Sequence, residues 1–110
     1  MVSERIRERY LRDPLPIRLG GLAADLARIA SFSESPRNRD AVASLLEEGK
    51  YFAEWTAHDA DSDTKAVLAE VQGQLALWQR MWLSGRSEPL MRVEAQRWSD
   101  QLLELSGLVG

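Results

Sequence analysis

The sequence contains no cysteine. Disulfide staples, thiolate nucleophiles and cysteine-ligated zinc or iron–sulfur centres are therefore excluded. Histidine occurs once, at His58. A di-iron bundle needs a Glu-x-x-His pair on each of two helices, so that is excluded too. No apolar run approaches the ~18 residues that span a membrane. The first ten residues carry Glu4, Arg5, Arg7, Glu8 and Arg9 and lack the apolar stretch of a secretory signal. A soluble, cytoplasmic protein without a membrane partner is expected. There is no Ser/His/Asp set, P-loop or glycine-rich phosphate motif. The sequence thus implies no cofactor, and a non-enzymatic role is the expectation.

What is present is the material of one helical domain. The chain has 110 residues, 45% apolar and 28% charged, which suits a single globular core rather than a disordered segment. Net charge is −3, unevenly spread. Residues 1–39 hold eight Lys/Arg against five Asp/Glu, whereas residues 40–76 hold two against eight. A mildly basic start and an acidic middle make no nucleic-acid footprint.

Four stretches have helical period, each with start and stop signals. The first follows Pro14 and Pro16, with Leu19, Leu22, Leu26 and Ile29 on one face. The second is expected to start at Ser35-Pro36, with Val42, Leu45, Leu46, Gly49, Phe52 and Ala53 as its stripe. Gly49 lies on that stripe, where it would let a neighbour approach closely. The third follows Asp61, Ser62 and Asp63 and carries Val67, Leu68, Val71, Leu75, Trp78 and Trp82, with Gly85 as its stop. The fourth starts at Ser87 with Pro89 in its first turn, turns Met91, Trp98, Leu102 and Leu105 inward, and ends at Gly107. Short links between long helices force antiparallel neighbours. The predicted fold is all-α: an antiparallel up-and-down four-helix bundle over residues 14–110, preceded by a short amphipathic arm over residues 1–13. No segment alternates with a strand period, and no internal repeat is visible.

The arm places Val2, Ile6 and Tyr10 four residues apart, with Leu11 beside them. Alone it is too short to hold a helix, so it needs a surface to pack on. That surface is its own bundle or a second copy. Val2, Ile6, Tyr10 and Leu11 are therefore the candidate partner-binding residues, and a homodimer with the arm near its interface is the favoured arrangement. Arg5, Arg9 and Arg12 share a face that reads as solvated rather than as a phosphate site.

The strip His58-Asp59-Ala60-Asp61-Ser62-Asp63 is the most suggestive chemically. Asp59, Asp61, Asp63 and Glu70 fall at the first, third, fifth and twelfth positions of a calcium-binding EF-hand loop. The sixth position wants glycine for its sharp turn and holds Thr64. Helix caps are the better reading of these acids, and no metal is expected. His58 lacks the lysine three residues on and the glycine that follows it in histidine-phosphotransfer bundles; Asp61 and Ser62 stand there. A degenerate phosphotransfer domain is the least favoured reading. Four tryptophans against two phenylalanines is unusual. Trp78 and Trp82 share one helix face, and Trp55 and Trp98 sit on others. Such side chains fill a core or line a cleft for a flat ligand.

The run from Leu15 to Ser33 (LPIRLGGLAADLARIASFS), with Glu54-Trp55-Thr56-Ala57, Leu75-Ala76-Leu77-Trp78 and Ser106-Gly107-Leu108, resembles a family of small uncharacterised proteins found in cyanobacteria. The likeness spans most of the chain. It implies a compact helical protein from a photosynthetic prokaryote and carries over no active-site residue. On residues alone, the leading expectation is a protein-interaction or assembly module. The alternative is a small-molecule or pigment binder using a tryptophan-lined cleft.

Overall fold

Ser3 opens the first helix: its hydroxyl accepts the Ile6 backbone N–H at 3.2 Å, and α1 runs Glu4–Arg12. The computed structural model describes residues 3–85 and 89–108. Asp13 stands before Pro14, which disfavours helix at that position, and it is extended, so the chain bends between α1 and α2 (Leu15–Phe32). Pro16 lies in the first turn of α2, where its missing N–H costs nothing. Asp61 caps α4 (Ser62–Leu83), its carboxylate accepting the Thr64 N–H at 2.8 Å. Gly85 and Gly107, at φ +81 and +73, take the left-handed conformation beyond the ends of α4 and α5 (Pro89–Ser106). The expected start at Ser87 lies outside the described residues.

The start of α3 differs from the sequence expectation. Ser35 caps a single 3-10 turn, Pro36–Asn38, and regular helix begins only at Arg39, running to His58. Asn38 reaches back to the Phe32 carbonyl at 3.3 Å, closing the link to α2. Arg39 is fixed by a distant partner: its guanidinium donates to the Trp82 carbonyl at 2.5 Å, and the Trp82 indole donates to the Arg39 carbonyl at 2.9 Å. This reciprocal clamp ties the start of α3 to the end of α4.

Helices α2 to α5 form an antiparallel four-helix bundle, with α1 laid across it. Helix α2 lies between α5 and α3, α4 packs on α3, and α4 and α5 touch only lightly. The α2–α5 approach is close because small residues face it. Ala23, Ala30, Ala95 and Ser99 are all buried, and the Ser99 hydroxyl donates to the Ala23 carbonyl at 2.7 Å. Gly49 does what its place on the stripe suggests: a Cβ there would meet Leu75 at 3.2 Å. Leu22, Leu26, Ile29, Leu46, Leu68, Leu75 and Leu102 are fully buried.

One inward assignment is corrected. Leu105 is 40% exposed, and Ser106 takes the buried position instead. The inner face of α5 runs through Met91, Ala95, Trp98, Ser99, Leu102 and Ser106, and Leu105 lies one residue, about 100° of rotation, off that line. Among the described residues, no helix is long and apolar enough to cross a membrane.

Candidate functional site: a cleft beside Trp55

Tyr10 holds α1 to the bundle. Its ring stacks on Phe52 of α3, centroids 3.9 Å apart and planes 10° from parallel. Its hydroxyl donates to the Arg18 carbonyl at 2.8 Å and lies 2.6 Å from the Thr56 hydroxyl. A phenol has one proton, so Thr56 is the donor in the second bond. Burial pushes the ionisation of Tyr10 well above its ordinary value, so it remains a neutral donor.

Arg18 braces the same corner. It is buried, and its guanidinium donates to the Asp13 carbonyl at 3.1 Å and to the Asp59 carboxylate at 2.9 Å. The bend before α2 is thereby tied to the end of α3. Asp59 is held below the usual carboxylate range by the Arg18 hydrogen bond first and the His58 contact second.

Between α1 and the last turns of α3 this bracing leaves a cleft of about 470 Å³. Arg7 and Leu11 form one wall, and Glu54, Trp55, His58 and Asp59 form the other. Trp55 is half-buried and stands in an aromatic cluster, 5.6 Å from Tyr51 and 5.9 Å from both Tyr10 and Phe52 between ring centroids. The Arg7 guanidinium sits 5.8 Å from the Trp55 ring centre, within cation–π range, and also pairs with Glu4 at 3.2 Å. The cleft thus offers one aromatic face, one apolar side chain and polar groups of both signs at its rim.

The remaining tryptophans are core residues: Trp78 is 3% exposed, Trp98 6% and Trp82 9%. The cleft therefore has one tryptophan rather than several. Of the four candidate partner-binding residues, Val2 lies outside the described residues. Tyr10 is buried on its own chain, Ile6 is half-buried against the core, and Leu11 lines the cleft. His58 closes α3, with its side chain 88% exposed and Nδ1 3.3 Å from Asp59. Asp59 and Asp61 serve an ion pair and a helix cap. Among the described residues, no group of three or more His, Asp or Glu is placed to hold a metal ion.

Sequence reasoning did not single out Trp55. The available signal was the run Tyr51, Phe52, Trp55, three aromatics within five residues of one helix. A larger, shallower groove lies between α2 and α5, but its lining includes Ala30, Val93 and Gln96 and no aromatic, and the Arg92–Glu34 ion pair borders it. No protein-family model, curated protein or solved structure matches the chain.

Proposed function

We propose that this domain binds a small, flat organic molecule in the cleft between α1 and α3, with Trp55 as the stacking surface. The observation that supports it is the contrast among the tryptophans: three are buried in the core, and Trp55 stands half-buried in a cleft wall. Its volume of about 470 Å³ falls within the range of small-molecule pockets, roughly 300–1,000 Å³. Leu11 supplies an apolar contact opposite the indole, and Arg7, His58, Glu54 and Asp59 supply hydrogen bonds that orient a polar edge. The assembly and homodimer reading draws its surface from α1. There Tyr10 and Ile6 are packed on their own chain, so it has less support than the cleft.

Titration with anilinonaphthalene sulfonate, a flat fluorescent anion, tests the proposal. Saturable binding with one site per chain is expected. Trp55→Ala is expected to weaken it about tenfold or more while leaving helix content unchanged. Equal affinity of variant and wild type would overturn the cleft.

A further inference from the structure

Asp25 is a buried acid with an incomplete set of partners. It lies on α2 and is 2% exposed. One carboxylate oxygen takes the Arg28 guanidinium at 3.2 Å, from a side chain that is itself 57% exposed. The other, Oδ2, is buried and has no hydrogen-bond donor. A buried carboxylate with an unpaired oxygen is expensive, and the ordinary relief is to bind a proton. The groups acting on Asp25 come from three helices: Arg28 on α2, Glu48 on α3, and Tyr10 on α1, whose own ionisation Asp25 opposes. Helix α5 meets α2 on another side, through Ala23 and Ser99, and adds no charged group here. Glu48 acts on Asp25 in the same sense as burial, and two carboxyl groups that act on each other cannot both ionise cheaply, so a single proton between them is the ordinary relief.

Helix α1 closes over this place. Gly21, one turn before Asp25, faces the Tyr10 ring, which would lie 3.8 Å from a Cβ at that glycine. Glu48 lines the same groove as Ile6. Helix α1 has nine residues, too few to stay helical unsupported, so it is the element that lifts at lowest cost.

We propose that Asp25 and Glu48 share a single proton, that this proton fastens α1 to the bundle, and that its loss lifts the strap that walls the Trp55 cleft. Without the proton, two carboxylates face each other under α1, and raising α1 admits the water that solvates them. Only the consequence for the cleft rests on the binding reading above; the latch itself does not.

The direction follows from linkage. With α1 docked, burial first and Glu48 second push the Asp25 carboxyl up to about 8. With α1 lifted, it returns toward the ordinary carboxylate value. The docked form therefore holds more protons. Docking is firmest below the ordinary carboxylate range, weakens by up to about tenfold per pH unit as pH rises, and levels off above about 8.

Hydrogen exchange of the α1 backbone amides, corrected for the intrinsic pH dependence of exchange, tests this on the full chain. Protection of Glu8 to Arg12 is expected to fall tenfold or more between about pH 5 and pH 8. Asp25→Asn keeps the shape, adds a permanent donor toward Glu48, and is expected to hold protection constant across that range. Flat protection in the wild type, or an unchanged slope in Asp25→Asn, would overturn the latch. Carboxyl-carbon NMR of wild-type Asp25 is a second check that needs no variant, and a midpoint in the ordinary carboxylate range would overturn it as well. If protection titrates as expected while anilinonaphthalene sulfonate binds at no pH, the latch stands and the binding reading fails.

Discussion

Tyr10 combines both kinds of contact that hold α1, the stack on Phe52 and the hydroxyl bonds to Arg18 and Thr56. Tyr10→Phe keeps the stack and removes the bonds, leaving a buried carbonyl and a buried hydroxyl each short of a partner. The expected loss is about 1–2 kcal/mol in chemical denaturation. An unchanged stability would mean that water replaces the phenol. Trp78 sits on the fully buried stripe of α4, and Trp78→Ala is expected to cost about 3–5 kcal/mol, the usual range for emptying a core indole site. The same truncation at half-buried Trp55 should cost less, and the reverse order would place Trp55 in the core. The sequence places Trp78 on the apolar stripe of its helix and Trp55 off the stripe of its own, so the burial of Trp78 is legible there and the setting of Trp55 is not. What leaves Trp55 half-buried in a cleft wall is the position of α1, a distant contact that no local pattern encodes.

At the scale of the element, caps and period are local properties, and the helices follow them. Proline, glycine and the Asp61 cap mark the ends, and Leu19, Leu22, Leu26 and Ile29 point inward as their spacing requires. The misplaced features depend on contacts far along the chain. The 3-10 turn before α3 is secured by Arg39 on Trp82, 43 residues away. The inner face of α5 uses Ala95, Ser99 and Ser106, which hydrophobicity alone does not flag. Two glycines separate helix propensity from packing. Gly73 lies inside α4 with nothing within 4 Å of a Cβ, so Gly73→Ala is expected to stabilise the fold by about 0.5–1 kcal/mol. A Cβ at Gly49 would press on Leu75, which is fully buried and has little room to yield. Gly49→Ala is therefore expected to forfeit that gain and to destabilise by about 1 kcal/mol or more. Thermal melts of the two variants should move in opposite directions, and a stabilised Gly49→Ala would show that the α3–α4 contact is slack.

Across the whole molecule, the four long helices form the body, and α1 is a strap over one of its grooves. The amphipathic arm was legible in the sequence, but its destination was not, because Tyr10 meets Thr56 across 46 residues. Deleting residues 1–13 uncovers Phe52 and Trp55 and is expected to cost several kcal/mol, at ~25 cal/mol per Å² of apolar surface returned to water. Light scattering on the full-length and shortened chains would also read out the homodimer suggested by the arm. The central claim concerns the cleft, and the four indole N–H signals of the labelled protein report on it residue by residue in two-dimensional NMR. Titration with anilinonaphthalene sulfonate is predicted to shift the Trp55 signal progressively to saturation and to leave Trp78, Trp82 and Trp98 nearly still. Saturation with Trp55 unmoved, or shifts spread equally over all four, would contradict the assignment of this cleft as the binding site.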